Sequence, residues 1–324
     1  TPFAEWARRL AAHAASGAPR GEEASWTGPE RMRARPLPRI AAPGRNTGLA
    51  ARTLEQSLDA GETRRLLKRV APACEAQVND VLLAALAPAL AAWAGGPVAV
   101  DMEGHGREDL FPELDLSRTV GWFTAIHPVV LERGEADEDP RAAVRRVRDL
   151  LRAVPEGGIG YGLLRFAPDG AAPSPRLAAI PPADALFHYA GVMAPGTAGA
   201  GLFGRPLAGP TGPAQDPEDE RPHLVEISCA VQDGRLHATW RWAGEVLDGD
   251  AVAAAADAFL RRLRALVRSL GAGPAAPLPM MSACTGCHGT DDDRPASCPG
   301  LCGLAVPFGE ADFAAPLGDP VPGR

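Results

Sequence analysis

The sequence predicts a mixed α/β chain of α+β character, and three observations carry that prediction. Segments 224–231 and 235–242, LVEISCAV and RLHATWRW, alternate apolar and polar residues, and Gln232-Asp233-Gly234 between them has the composition of a tight hairpin turn. Segments 78–93 and 248–271 repeat apolar residues at helical spacing. Short apolar runs bounded by Gly and Pro lie between them and read as buried strands, so strands and helices alternate along the chain.

Each element follows in order. Residues 1–16, TPFAEWARRLAAHAAS, read as an amphipathic helix. Residues 17–50 are rich in Pro, Gly and Arg and read as a surface connector. RTLEQSL is a short strand pattern, and Asp59 with Glu62 three residues on has the spacing of a capping box that opens a helix. In VNDVLLAALAPALAAW, Val78, Val81, Leu82, Ala85, Leu86, Ala89 and Trp93 fall on one helical face, and Gly95-Gly96 stops the helix. A strand follows from Pro97 to Val100, and Pro128 to Leu131 reads as another. Asp139-Pro140 can cap a helix with Val144, Val147, Leu151 and Val154 inward, and Pro155 ends it. Residues 155–162, PEGGIGYG, read as a glycine-rich turn, while 167–184 and 194–222 read as loops. FHYAGV is a short buried strand. The helix from Asp248 sets an arginine stripe opposite Val252, Phe259, Leu263 and Leu266 and ends at Gly271. Beyond Gly271 no periodicity survives, and 272–324 is expected to be a disordered tail.

The totals bound the function. A chain of 324 residues with 46% hydrophobic residues has ample length for a core. A net charge of -7 argues against nucleic acid or an anionic membrane as the main partner. Lys68 is the only lysine, a bias read as coding composition. No apolar run is long enough to span a bilayer and the first helix lacks a signal-peptide h-region, so the cytoplasm is the expected location. A start at Thr1 suggests a piece of something longer. Cys74 and Cys229 fall in segments that read as buried.

Four stretches carry possible chemistry. In VDMEGHGRED, Glu103 closes a buried strand, where desolvation suits a carboxylate to exchange a proton near neutral pH. Gly104 and Gly106 leave backbone open to a substrate. The alternative is an ion pair of Glu103 with Arg107 or Arg118 that braces the strand end, with His105 an ordinary hydrogen-bonded loop residue. In SRTVGWFTAIHPVVLE, Trp122 and Phe123 either line a cavity wall or plug the core. PEGGIGYG carries Tyr161 but lacks the lysine and the strand-to-helix setting of a phosphate cradle. FHYAGV is aromatic and short, consistent with a buried strand that carries His188 toward a cavity.

Taken together these stretches resemble the epimerization domains of nonribosomal peptide synthetases, members of the condensation-domain superfamily. Those domains show N-D-x-L-L-x-A on a helix, then E-G-H-G-R-E, R-T-V-G-W-F-T-x-x-x-P, P-x-x-G-x-G-Y-G and F-N-Y-L-G. Here they stand as Asn79 to Ala85, Glu103 to Glu108, Arg118 to Pro128, Pro155 to Gly162 and Phe187 to Gly191. The resemblance covers roughly residues 1–270, so residues 1–271 read as the C-terminal portion of such a domain and 272–324 as a Pro/Gly/Cys-rich tail.

The resemblance implies one lobe of a two-lobed fold like chloramphenicol acetyltransferase, with a tunnel between the lobes. It implies epimerization of an L-aminoacyl or peptidyl thioester to the D form by α-proton removal and return. A carrier protein would present the thioester on its 4'-phosphopantetheine arm; no cofactor or metal is bound directly. Glu103 matches the family's catalytic glutamate, and His105, Arg107, Trp122, Phe123, Thr124, Tyr161, His188 and Tyr189 stand where substrate would be bound. The other catalytic group is a histidine of an H-H-x-x-x-D-G motif in the N-terminal lobe. No His-His pair occurs in this chain, which therefore reads as the C-terminal lobe and is expected to be inactive alone. His188 also departs from the usual asparagine of F-N-Y; an imidazole still donates a hydrogen bond, with different geometry. The alternatives are a condensation lobe that forms peptide bonds and a non-catalytic carrier-docking scaffold. In the tail, Cys284, Cys287, His288, Cys298 and Cys302 have spacings compatible with haem attachment or zinc; both lack the expected setting, and the cysteines are read as without a role.

Overall fold

A computed structural model describes residues 1–135, 138–166, 173–193 and 216–271. The expectations for the tail, for 167–172 and for 194–215 lie outside the described residues. The helices are α1 (Phe3–Ala15), α2 (Glu23–Trp26), α3 (Pro29–Arg33), α4 (Ala60–Arg65), α5 (Ala71–Ala73), α6 (Val78–Ala94), α7 (Pro140–Arg152), α8 (Ile159–Phe166), α9 (Pro175–Ala178) and α10 (Gly249–Gly271). The strands are β1 (Ala51–Ser57), β2 (Val98–Gly104), β3 (Ala125–Leu131), β4 (Ala185–Val192), β5 (Val225–Gln232) and β6 (Arg235–Ala243).

The strands form one mixed sheet in the order β1-β6-β5-β4-β2-β3. The β2–β4 and β4–β5 pairs are parallel, and the other three are antiparallel. The expected hairpin is there: Asp233 and Gly234 both take positive φ, as the two central residues of a tight hairpin turn must. Val225, Ile227, Cys229 and Val231 on β5 and Leu236, Ala238 and Trp240 on β6 are buried on one face, under α10. Pro128 sits in β3, an edge of the described sheet, where a missing N–H costs no ladder bond.

Asp59 and Glu62 form the capping box that starts α4. At α6 the single-face expectation gives way to burial on nearly every side, because α10 flanks the helix on one side and α7 on the other while β2 and β3 lie beneath. Leu83, Ala84 and Ala87, off the expected stripe, are as buried as those on it. Asp80 of the N-D motif acts locally, since its carboxylate accepts the backbone N–H of Gln77 at 2.8 Å and closes the start of α6. Burial pushes the Asp80 carboxyl up from its ordinary range.

Two smaller clusters lie beyond this main core. Trp26, Tyr161, Leu164, Leu177 and Ile180 form one; Trp6, Leu116, Phe123 and Ile159 form the other. They explain two departures from the sequence reading. Residues 17–50 are more than a surface connector, because Trp26, at the end of α2, and Leu37, in the segment after α3, are both buried. PEGGIGYG is a turn only as far as Gly158; Ile159 opens α8, whose apolar side joins both clusters. Among the described residues no single helix is long and apolar enough to cross a membrane.

Candidate functional site

β2 carries the site because of its alternation. Val98, Val100 and Met102 point into the core under α6, so Ala99, Asp101 and Glu103 take the other face. The parallel ladder to β4 pairs Asp101 with Leu186 and ends at Met102 with Phe187. Phe187 is fully buried in the core, so His188 turns to the face that Glu103 occupies. Carried one step further, the same register sets Glu103 level with His188 where the two strands part. Both side chains are half-buried. Among the described residues Glu103 has no ion pair. Crevices at the carboxyl ends of parallel strands are where open α/β sheets place their ligands.

The loop after β2 folds back on itself. Gly106 has φ +64°, and a Cβ there would lie 1.6 Å from the Phe123 carbonyl oxygen, so only glycine fits. The Arg107 guanidinium donates to the carbonyl oxygens of Leu116 and Thr119, the second at 2.9 Å, and lies 4.0 Å over the Phe123 ring. Arg107 is therefore a clasp across the loop, and neither it nor Arg118 braces Glu103. The His105 side chain is exposed; its Nδ1 accepts the Arg107 backbone N–H at 2.9 Å and lies 3.5 Å from the Glu108 carboxylate.

The left-handed turn Glu156-Gly157-Gly158 seats against this loop. A Cβ on Gly157 would strike the Glu108 carboxyl, and one on Gly158, at φ +86°, would come within 2.0 Å of the His127 ring. The Gly157 carbonyl oxygen also faces Gly104, the last residue of β2. The turn thus closes against the strand end that holds Glu103, and strained backbone of this kind gathers at functional sites.

The remaining candidates separate. Phe123 is buried, edge-on to Phe3 at 5.1 Å. Its neighbour Trp122 is 68% exposed and, with Val120, forms an apolar rim. Thr124 is half-buried on the approach to β3. Tyr161 is buried beside Trp26, their ring centroids 5.5 Å apart, and burial raises its hydroxyl above the ordinary range. Tyr189 pairs with Cys229 and so lies on the helix side of the sheet, opposite Glu103; burial first, then Cys229, pushes it up to about 12. The structure therefore sets Glu103 and His188 on the same face of neighbouring strands, with His105 on the adjoining loop, and sets Tyr161 and Tyr189 in packing. Two buried residues that no motif marks, Asp101 and His223, meet at 2.9 Å behind Glu103. A cleft of about 850 Å³ lined by Glu132, Arg133, Glu138 and Arg146 lies at the far end of β2. Among the described residues no group of three His, Cys, Asp or Glu is arranged to hold a metal ion.

Known proteins share both the sequence and the fold. A family model described as "Condensation domain" matches residues 1–169. One of the linear gramicidin synthase chains of Brevibacillus parabrevis is 37% identical over 269 residues, which is 82% of this chain and 5% of that protein. The crystal structure of the epimerization domain from the third module of tyrocidine synthetase B superposes with a TM-score of 0.71 at 31% identity, over 83% of this chain and 60% of that one. The condensation domain from the Monacolin K polyketide synthase MokA shares the fold at 15% identity and a TM-score of 0.57, over 83% of this chain and 62% of that one. The chain thus spans a small part of the gramicidin synthase chain and about three-fifths of each of these solved domains.

Proposed function

The chain belongs to the condensation-domain family, and from that premise we propose that it is the C-terminal lobe of an epimerization domain in a nonribosomal peptide synthetase. The substrate is an aminoacyl or peptidyl thioester, carried on the 4'-phosphopantetheine arm of a partner carrier protein. Thioester conjugation makes the α-proton acidic. The Glu103 carboxylate takes that proton from one face, the electron pair delocalises into the thioester carbonyl, and a second acid returns a proton to the opposite face. In this reading the second acid is a histidine of an H-H-x-x-x-D-G motif on a separate lobe. His188, level with Glu103, donates to the thioester oxygen as charge builds there. Arg107 holds the loop in shape, and His105 and Trp122 line the approach.

The observation that carries the proposal is the state of Glu103: half-buried, with no ion pair among the described residues, on the sheet face turned away from α6 and just past the last β2–β4 pair. A carboxylate kept only to brace a strand end would be engaged by a neighbouring arginine, and Arg107 is engaged elsewhere. The likeness to a solved epimerization domain supports epimerization over peptide condensation.

The test is Glu103→Gln in the intact synthetase, with deuterium uptake at the α-carbon of the carrier-bound thioester followed in heavy water. Glutamine keeps the shape and loses the proton-accepting carboxylate, so uptake should fall by about a hundredfold or more. Uptake at the wild-type rate would return Glu103 to a structural role and favour a condensation lobe or a docking scaffold.

A further inference from the structure

Asp101 precedes Glu103 by two residues on β2, so strand alternation turns both carboxyls to the same side of the sheet. It is 8% exposed, and its Oδ2 lies 2.9 Å from Nε2 of His223, itself 6% exposed. In the sheet β4 lies between β2 and β5, so this contact passes over a strand to reach the residue two before β5. His223 is held in turn: the Asn46 amide donates to the carbonyl oxygens of Arg221 and His223 at 2.8 and 2.9 Å. The buried Arg221 guanidinium pairs with Glu226 of β5 at 3.0 Å. The charge of Asp101 also reaches Arg31 of α3, His127 of β3 and Tyr161 of α8.

This arrangement is a poor way to gain stability. Desolvation offsets most of the attraction in a buried pair, and an apolar pair of similar volume anchors a strand as well. Asp101 Oδ1 and His223 Nδ1 are, besides, buried without a protein partner among the described residues, which costs free energy. What the pair supplies is direction. On the β4 side β2 is held by only three paired positions, Val100 to Met102, and Glu103 lies just past the last of them.

We propose that Asp101 and His223 are a positioning pair for Glu103, a clasp from β2 to the segment before β5 that aims the Glu103 carboxylate at the space beside His188. This rests on the epimerase reading of Glu103. The test uses the intact synthetase, with α-deuterium uptake resolved into kcat and KM and thermal midpoints taken in parallel. His223→Leu, which keeps bulk and loses the donor, should lower kcat by about tenfold or more, since small misplacements of a reacting group are costly. KM should stay within about twofold, because the pair does not touch substrate. His223→Gln, whose side-chain amide can reach the same oxygen, should recover most of kcat. The double variant Asp101→Leu/His223→Leu should keep the wild-type midpoint and remain slow. Wild-type kcat in the double variant, failure of glutamine to rescue, or unfolding of the double variant would each make the pair structural and overturn the proposal. Wild-type uptake that is absent, or indifferent to Glu103→Gln, overturns the epimerase reading and this inference with it. Sensitivity to Glu103→Gln alone overturns only the inference.

Discussion

His127 lies opposite Met102 in the β2–β3 ladder, and burial drives its imidazole from 6.5 down to about 4, against an opposing pull from Asp101. The folded chain keeps this ring neutral while the unfolded chain protonates it below about pH 6.5. The stability that follows is complete above pH 6.5 and is lost as pH falls toward 4, by up to about 3 kcal/mol. The urea midpoint should therefore drop between pH 7 and pH 5, and His127→Gln should flatten that part of the profile. An equal drop in the variant would assign it to other groups. At this scale the sequence is legible where strand patterning places a residue, as it sets Glu103 near the end of β2, and silent where geometry chooses between neighbours. Nothing local separates Trp122 from Phe123; only the packing of Trp6, Leu116 and Ile159 decides which ring goes inside. Nor does any local signal join Asp101 to His223, which lie 122 residues apart.

Helix α6 shows the same limit one level up. Its apolar content predicts a helix, but helical periodicity presumes one wet face, and α6 is covered by α7, α10 and the sheet together. Leu83, Ala84 and Ala87, off the expected stripe, are as dry as Val81, Leu82, Ala85 and Leu86 on it. Leu83→Ala, off the stripe, should therefore cost as much as Leu82→Ala on it, about 2–5 kcal/mol each, read from urea unfolding at pH 7. A cost for Leu83→Ala typical of a surface site would restore the single-face picture. Strands fare better, since alternation on β5 and β6 is preserved in their burial. On β4 the same alternation divides two adjacent motif residues, sending His188 to the face of Glu103 and Tyr189 to the helices. Glycine-rich PEGGIGYG escapes a turn-based reading because Ile159 and Leu164 have cores to enter, and tertiary packing outweighs the glycine cost in a helix.

For the molecule as a whole, the mixed α/β class and the family follow from the order of the motifs, whereas the strand order does not, because long-range pairing leaves no local trace. On the proposed reading, inversion of a stereocentre needs proton-transfer groups on both faces, and Glu103 would serve one. The 324-residue chain alone should therefore give no α-deuterium uptake above its Glu103→Gln variant. Adding a lobe that bears H-H-x-x-x-D-G, fused or in trans, should restore part of it. Uptake by the chain alone would show that a second proton donor lies within it. The sheet order also has a consequence in time. During synthesis β2 and β3 can form a hairpin as soon as they emerge, whereas β4 arrives much later and His223 later again. Of the described strands β1 is the earliest in this sequence and must wait for β6, the latest of them, before Ala51 can meet Ala243. Non-local pairing of this sort folds slowly and leaves strand edges bare meanwhile. The corner of the sheet that holds Glu103 is thus begun early and finished late, so that under the proposed roles a nascent chain carries its carboxylate before it has the means to aim it.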